Sequence, residues 1–514
     1  MKVSFKTVWL PASLGILLLV AAGCNDTLRQ FITPVPSPSG DPGTLAHAIT
    51  LSTNPIVPPA GGSDMHIDVS GDSSVGIVPL GVNPVFLGKT SNRVFIINSG
   101  NPPSIPPSIS TYIALLPTSS TVSTITLPPT SLGPVAGATN SAGNFYIVNR
   151  LSNTVDMISG SVLADVATIP LPAVDSNPVM IAGNAANNKM FVVNQNAGSG
   201  TVTEISTIDN TIIKDLPVGS NPIWAVMSTD GLFVFVVNQG DGTVSVIDTS
   251  LDIILPCAVS PSCPAGNAIK VGTSGASSPN FAFYDSKLKR VYISNTGAGE
   301  NTISVIQANG LDLGSNPQVL PTKLADIHVS GSPTSLTALS DGSRVYAALG
   351  NCSFGVGVEV NHLTLPANTG SCPGNLVSVI DAVGLRETGT IAVGPGAISI
   401  DASSDASRVY VLSANDITTV RDDVHVPNCT DNLCLPGAVQ PDRTFPTPSI
   451  SIIKTATNSV LETPVDAGIV NRPLPTFHVP QQDPNCVPTI DPNFNDEVPL
   501  PCPLQTPFVV RTFP

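Results

Sequence analysis

The stretch from Asn221 to Asp248 reads NPIWAVMSTDGLFVFVVNQGDGTVSVID, and it decides the fold. It contains three short β patterns joined by turns at Asp230-Gly231 and Asp241-Gly242, and Asp-Gly is a dipeptide that tight hairpin turns favour. The middle pattern, Phe233 to Val237, consists of β-branched and aromatic residues, and the last one, Val244 to Asp248, alternates like a strand. The stretch therefore predicts an antiparallel meander.

The middle pattern of this meander recurs along the chain, which predicts a repeat architecture. Successive copies end 51, 45, 44, 57, 54 and 64 residues apart. The shortest spacings match the roughly 40 to 50 residues of a four-stranded propeller blade, and the longer ones must include extended loops. The copies are RVFIIN ending at Asn98, NFYIVN at Asn149, KMFVVN at Asn194, FVFVVN at Asn238, RVYISN at Asn295, RVYAAL at Leu349 and RVYVLS at Ser413.

A proline marks the entry to the first strand of each copy. Proline cannot donate to a β-ladder, so it suits the beginning of a strand and not its middle. Seven copies, each too small to be stable alone, predict an all-β fold: a seven-bladed β-propeller of four-stranded antiparallel blades over residues 65–470. The markers are Asn83-Pro84, Gly133-Pro134, Asn177-Pro178, Asn221-Pro222, Ser278-Pro279, Ser332-Pro333 and Gly394-Pro395.

These repeats resemble the YVTN family of β-propeller proteins, through VFVVNQGDGTVSVID and its diluted copies from about Gly81 to Gly468. The resemblance implies the propeller fold. It leaves the function open, because related propellers include surface-layer-like proteins, a DNA-binding periplasmic protein, lactonase-like enzymes and propeller domains of nitrous oxide and nitrite reductases.

The first 23 residues predict a secretory leader, since Lys2 and Lys6 precede an apolar run through Leu14–Val20. Small residues before Cys24 resemble the cleavage site of bacterial lipoproteins, so we expect Cys24 to carry the lipid; ordinary cleavage near Ala22 is the alternative. Asn25, rather than Asp, follows and favours the outer membrane of the cell envelope, facing either the periplasm or the outside.

The segments on either side of the repeats are rich in proline. Residues 24–64 also contain many Ser, Gly and Thr residues, which predicts a flexible tether between lipid and propeller. Met65–Val69 and Ser74–Leu80 alternate enough to be strands, one of which could close the ring. Residues 471–514 are predicted as a tail in which Phe508–Val510 suggests an ordered strap across a monomeric propeller.

Composition favours an extracytoplasmic protein that does not bind nucleic acid. Charged residues make up 11% of the chain, and its formal charge of −15 becomes −17 once Lys2 and Lys6 leave with the leader. A chain of this sign repels phosphate backbones, and its aromatic residues are too sparse for base-stacking platforms.

Eight cysteines remain after Cys24, and each lies close in sequence to one other. In an oxidising compartment this spacing predicts four disulfides between neighbours. Metal or haem ligation is the alternative, but CxxC, CxxCH and clustered His are all missing from the sequence. We therefore predict no metal and no cofactor. The predicted pairs are Cys257–Cys263, Cys352–Cys372, Cys429–Cys434 and Cys486–Cys502.

No catalytic motif accompanies the repeats: GxSxG, GxxxxGK, HExxH and EF-hand loops are absent from the sequence. The six histidines are scattered, which suits surface or loop positions, and we expect Trp224 to pack in the core. An enzyme would need convergent carboxylates, His or Arg at the ends of the innermost strands, whereas Pro222–Met227 and Pro279–Phe283 are mainly apolar. A binding scaffold for protein or glycan is favoured; a lactonase-like hydrolase or cofactor-dependent oxidoreductase at the channel mouth is the alternative.

Three long insertions predict where a partner binds. They interrupt the connection between the second and third strands of the first, sixth and seventh copies, so they should crowd one rim. Those copies would be neighbours in a seven-bladed ring. The insertions are Asn101–Ser108, Asn351–Asn375 and Arg421–Pro448, and their candidate contact residues are Asn101, Asn351, His362, Arg421 and His425.

Overall fold

The structure, a computed structural model, describes most of the chain from residue 47 to residue 513. The residues outside this description are 1–46, 54–60, 70–71, 91–92, 114–121, 173–176, 197, 258–261, 264–267, 274–276, 298, 309–319, 352–372, 415–416, 421–442, 447–448, 462–476, 479–488, 491–498, 501–505 and 514.

Eight antiparallel sheets are arranged as the blades of a β-propeller, and the first strand of each blade lies innermost. Strands are numbered in chain order and blades by the order of their repeats. Blade 1 comprises β4 (Pro84–Lys89), β5 (Arg93–Asn98), β6 (Ser108–Ile113) and β7 (Ser123–Thr126). Blade 2 comprises β8 (Pro134–Thr139), β9 (Phe145–Asn149), β10 (Thr154–Ser159) and β11 (Ala164–Pro170). Blade 3 comprises β12 (Pro178–Ala182), β13 (Lys189–Asn194), β14 (Thr201–Ser206) and β15 (Ile212–Pro217).

The next three blades follow the same plan. Blade 4 comprises β16 (Pro222–Met227), β17 (Phe233–Asn238), β18 (Thr243–Asp248), β19 (Ile253–Ile254) and β20 (Ile269–Lys270), the last two both paired with β18. Blade 5 comprises β21 (Pro279–Asp285), β22 (Arg290–Asn295), β23 (Thr302–Gln307) and β24 (Thr322–His328). Blade 6 comprises β25 (Ser335–Ala338), β26 (Arg344–Leu349), β27 (Leu376–Asp381) and β28 (Arg386–Ala392).

The last two blades use strands that are distant in sequence. Blade 7 comprises β29 (Ala397–Ala402), β30 (Arg408–Ser413), β33 (Ser449–Lys454), β34 (Ser459–Val460) and β35 (Phe477–His478). Blade 8 comprises β38 (Thr506–Phe513), β1 (His47–Thr53), β2 (Gly61–Asp68) and β3 (Ser73–Val82). Two small hairpins lie apart: β31 (Ile417–Val420) with β32 (Arg443–Pro446), and β36 (Thr489–Ile490) with β37 (Pro499–Leu500).

The predicted count of seven blades is wrong, because the two ends of the chain build an eighth. β38 pairs antiparallel with β1, matching Ile49 with Arg511, and supplies the innermost strand of blade 8. Thus β1 and the start of β2 lie inside residues 24–64, predicted as tether, and β38 lies inside residues 471–514, predicted as a tail. Phe508–Val510 is part of a blade and not a strap. Blade 8 escaped the count because its strands lack the repeat's RVY and Asn markers.

The direction of the meander gives the propeller two distinct faces. The connections from second to third strand and from one blade to the next leave on one side, which we call the loop face. The connections from first to second and from third to fourth strand leave on the other, which we call the turn face. Because β38 and β1 are the first and second strands of blade 8, the chain enters at His47 and leaves at Phe513 on the turn face.

The markers of the repeat have structural roles. The asparagine that ends the second strand is fully buried, and its amide joins that strand to the third: Asn238 Nδ2 donates to Thr243 Oγ1 and Ser245 Oγ, both at 3.0 Å. Asn83, before the proline of blade 1, has a φ of 52°, in the left-handed region that Asn tolerates better than most residues. Trp224 packs against Phe281 in the core, as predicted, and donates from Nε1 to Ala282 O at 3.1 Å.

Candidate functional site

The three long insertions leave the propeller on the loop face, where their sequence positions place them. The second-to-third connection is 9 residues long in blade 1, 26 in blade 6 and 35 in blade 7, against four to six in blades 2 to 5 and seven in blade 8. Blade 8 separates blade 1 from blade 7, so the predicted neighbours are corrected: the insertions belong to a sector of four consecutive blades, 6, 7, 8 and 1.

The insertion of blade 1 is closed by its own hydrogen bonds. Asn101 N donates to Ile105 O at 2.9 Å, and Ile105 N donates back to Asn101 O at 3.1 Å. Asn83 Nδ2 holds the preceding residue through Gly100 O at 2.8 Å. The residues between the two bridged positions are exposed, so this connection presents a fixed, solvent-facing turn that includes Asn101.

Asn351 has a structural role at the start of the blade 6 insertion. Its φ is 47°, and its Oδ1 accepts from the backbone N of Ser332 at 2.6 Å, which joins the start of the blade 6 insertion to the linker before β25. His362, Arg421 and His425 lie outside the described residues. Of the five candidate contact residues, the structure therefore places Asn101 and Asn351, in blades 1 and 6.

One cysteine pair lies within the described part of the chain. Cys257 and Cys263 are both buried and form a disulfide, with a Cα–Cα distance of 6.1 Å, as neighbour pairing predicts. The bond closes the connection between β19 and β20 at the outer edge of blade 4. Cys24 and the other six cysteines, at 352, 372, 429, 434, 486 and 502, lie outside the described residues.

A polar cluster that the sequence did not reveal lies where blades 7, 8 and 1 meet, at the turn-face end of the innermost strands. We call it the axial cluster. Thr512 in β38 donates through its backbone N to Asp401 Oδ2 at 2.8 Å, and Thr512 O accepts from Lys89 Nζ. Arg511 is the neighbouring residue of β38. The cluster brings residues of β4, β29 and β38 together, and no sequence pattern connects them.

The electrostatics of this axial cluster are those of two cations beside one carboxylate. Desolvation by the surrounding strands lowers the pKa of Lys89 although the residue is exposed to solvent; Asp401 raises that pKa, and Arg511 lowers it. The pKa of Arg511 is lowered by desolvation and raised by Asp401. Such a site favours an anionic group, since either cation gains from an added negative charge.

A buried histidine lies between blades 8 and 1. His66 Nε2 lies 3.3 Å from Asp64 Oδ1 and 3.2 Å from the hydroxyl of Tyr112, which donates to Asp64 Oδ2. Desolvation, with help from Asp64, raises the pKa of Tyr112 well above its usual range. The surface or loop position expected of every histidine is thus wrong for His66. Because all three side chains are buried, we assign the group to joining the blades and not to contact with a ligand.

Among the described residues, no three His, Cys, Asp or Glu side chains gather as a metal site would require. Within the same ranges, the structure contains no helix with the length and apolarity needed to span a membrane.

No family model matches the chain, so the resemblance to YVTN repeats stays a prediction, and no curated protein matches it by sequence. Solved structures do match. One is the dihydro-heme d1 dehydrogenase NirN in complex with DHE, with a TM-score of 0.53, 11% identity, and 83% of this chain and 74% of that chain covered.

Two further structures are similar over about two thirds of this chain. The periplasmic gluconolactonase PpgL of Pseudomonas aeruginosa has a TM-score of 0.45 and 13% identity, with 68% of this chain and 95% of that chain covered. A putative 6-phosphogluconolactonase of Bacteroides fragilis has a TM-score of 0.43 and 13% identity, with 66% and 100% covered. Of these three structures, only the likeness to NirN has a TM-score above 0.5, and at 11% identity it concerns the fold alone.

Proposed function

We propose that this protein is a lipid-anchored propeller of the bacterial cell envelope that binds a protein or glycan partner on its loop face and has no enzymatic activity. The anchor is Cys24, and the cysteine-containing connections of blades 6 and 7 supply the contact residues together with the turn at Asn101. Cys352–Cys372 and Cys429–Cys434 are proposed as disulfides that shape those connections.

One observation supports this proposal above all others: the three second-to-third connections of 9, 26 and 35 residues all belong to one sector of the loop face, in blades 1, 6 and 7. Second-to-third insertions that were merely tolerated would be expected all around the ring, because lengthening a surface loop costs little free energy. Loops held by a rigid scaffold are the usual place for recognition, and cross-linked loops lose less conformational entropy on binding. The four-blade sector therefore suits a partner broader than a single loop.

The experiment shortens one insertion and compares it with a matched deletion elsewhere. Replacing Cys352–Cys372 by a short Gly-Ser turn should leave the thermal unfolding midpoint nearly unchanged and abolish retention of the partner recovered by cross-linking in the native envelope, or binding on a glycan array. The control replaces residues 309–319, in the third-to-fourth connection of blade 5 on the turn face, and should retain binding. Equal binding by both variants would contradict the proposal.

A hydrolase or oxidoreductase acting at the channel mouth is the second candidate, and the axial cluster is the observation that favours it. Lys89, Asp401 and Arg511 lie at the ends of innermost strands, where an enzyme of this architecture would need charged groups. A substrate with a carboxylate, or the hydroxy acid that hydrolysis of a lactone releases, would suit two cations. Turnover of a lactone panel that falls at least tenfold in both Lys89→Met and Arg511→Met would support this candidate, whereas a panel without turnover would leave binding as the function.

A further inference from the structure

The turn face carries large apolar side chains at the tips of its third-to-fourth connections. Val162 in blade 2, Ile208 in blade 3, Leu251 in blade 4 and Val383 in blade 6 are 66%, 80%, 54% and 67% exposed. The corresponding tips of blades 1 and 5 lie outside the described residues. Turn tips are ordinarily polar, so four exposed aliphatic residues in the same kind of connection are unusual for a surface facing water.

The backbone of each of these turns is held so that the apolar side chain projects. In all four, the side chain of the residue that ends the third strand accepts from the backbone N of the apolar residue. Asp248 Oδ1 accepts from Leu251 N at 3.1 Å, and Asp381 Oδ1 accepts from Val383 N at 3.1 Å. Ser206 Oγ holds Ile208 N at 3.3 Å, and Ser159 Oγ holds Val162 N at 3.4 Å.

Repetition of this geometry makes the tips a pre-formed surface, since the turns need no reordering before they contact a partner. We call the set Val162, Ile208, Leu251 and Val383 the apolar tips. They project from blades 2, 3, 4 and 6, which span the half of the ring centred on blade 4, opposite blade 8.

The entry point of the chain is also on this face. His47 opens β1 at the turn-face end, where it pairs with Phe513. Only 22 residues lie between Cys24 and His47, so the lipid cannot lie farther than about 80 Å from blade 8, at about 3.3 to 3.6 Å for each of the 23 steps. A lipid at Cys24 therefore tethers the ring at blade 8, and the apolar tips lie across the ring from that tether.

We propose that the turn face is a membrane-docking surface, whose apolar tips enter the headgroup region of the bilayer while the tether holds blade 8. This inference rests on the lipid anchoring of the proposed function, and it deepens that function because the loop face then points away from the membrane, toward the partner. Apolar side chains of this size gain free energy at a bilayer interface. The formal charge of −17 that remains without the leader repels anionic lipids, so docking is expected on zwitterionic lipid and only with the help of the tether's high local concentration.

The test uses the chain from residue 24 onward with a histidine tag at its N-terminus, bound to phosphatidylcholine vesicles that contain a nickel-chelating lipid. The tag stands in for the native lipid at the same end of the tether. Ile208→Trp places a fluorophore at an apolar tip, and Leu151→Trp places one at a loop-face position that is 76% exposed. Brominated acyl chains should quench the first variant at least twofold and blue-shift its emission, whereas the second should respond no more than the background from buried Trp224.

Equal quenching of the two variants, or of neither, would overturn the proposal. Emission of Ile208→Trp that changes with protein concentration but not with brominated lipid would assign the tips to a second copy of the chain, and would also overturn it.

A second measurement does not depend on tryptophan. Changing all four apolar tips to Ser should accelerate release from the nickel vesicles by imidazole several-fold, while changing Leu132 and Leu151, which are exposed on the loop face, should not. Identical release rates would contradict docking. Since the tag replaces the lipid, failure of native lipidation would appear only in the Cys24 experiment and not here.

Discussion

Arg408 and Asp72 lie 336 residues apart and form a two-pronged ion pair, with Nε 2.8 Å from Oδ1 and Nη2 2.8 Å from Oδ2. The pair joins the start of β30 in blade 7 to the turn between β2 and β3 in blade 8. Two other arginines on the turn face also contact the next blade, through backbone carbonyls: Arg290 Nη1 donates to Ala382 O, and Arg344 Nη1 donates to Thr455 O at 2.6 Å. In blades 5, 6 and 7, the arginine of the RVY motif therefore holds the blade to the next one.

Removing the ion pair between Arg408 and Asp72 should destabilise the ring. We expect Arg408→Gln to lower the free energy of unfolding by about 1 to 3 kcal/mol, because Asp72 would lose a charged, partly buried partner. Arg386→Gln is the control, since Arg386 is exposed and its Nε lies 3.9 Å from Asp381; it should cost less than about 0.5 kcal/mol. Urea unfolding measures the free energy of unfolding of both variants, and equal losses would contradict a stabilising role for the Arg408–Asp72 ion pair.

A separate peptide should be able to replace the strand β38. Deleting residues 506–514 removes β38, exposes the partners of the fully buried Val509 and Val510, and should abolish the single cooperative thermal transition. A synthetic peptide of residues 504–514, added in excess, should restore it. The same peptide with Val510→Asp should not restore it, because a carboxylate would enter the core shared by blades 7 and 8. Rescue by both peptides would contradict the assigned position of β38.

Asp165 should make stability depend on pH. Burial, helped by the charge of Asp156, raises its pKa to about 6. The folded state then keeps a proton that the unfolded state releases between about pH 4 and pH 6, so this group's contribution to stability falls as pH rises through that window. Asp165→Asn should raise the free energy of unfolding at pH 7 by about 1 kcal/mol, a figure reduced for partial solvent screening, with little effect at pH 4.

Asp209 is the control for that experiment. Hydrogen bonds from Ser206 and Thr211 lower the pKa of Asp209, so Asp209→Asn should not stabilise the protein at pH 7. A gain at pH 7 for both variants, or for neither, would show that the raised pKa of Asp165 is not the cause.

The anchor should depend on one thiol. In the native host, Cys24→Ser should move the protein from the detergent phase to the aqueous phase of a phase-partition assay, because the lipid has no other attachment point. The unmodified chain is the control. A Cys24→Ser protein that still partitions with detergent would show that the sequence around Cys24 had been misinterpreted.

Thiol titration should find almost no free thiol in denatured, unreduced mature protein, and peptide mapping should recover Cys257–Cys263 with the other three neighbour pairs. The disulfide at Cys257 already shows this pairing. Several free thiols, or a stoichiometric transition metal, would instead support ligation by the cysteines at 429 and 434.

Local sequence was sufficient for the repeating part of the fold. The pattern from Phe233 to Asp248 specifies strands and turns through contacts a few residues apart, so each copy of it predicts a meander independently of the others. For the same reason the sequence could assign the insertion after Asn351 to one face, because a meander alternates its connections between the two faces whatever the number of blades.

The eighth blade could not be predicted in this way, because Ile49 and Arg511 belong to two segments that both lack the markers of the repeat. The axial cluster escaped for the same reason: Lys89, Asp401 and Arg511 come from three blades, and only closure of the ring brings them together. His66 looked like any scattered histidine until β2 packed beside β6.

Sequence by itself determined the blade, since a blade is made of hydrogen bonds between neighbouring strands with their own turn chemistry. Only the tertiary structure decided how many blades close the ring and which residues meet at the seam. Closure depends on whether the last strand fits against the first strand, which is a property of the whole circumference. The pairing of β38 with β1 settles it, and with it the arrangement of both faces.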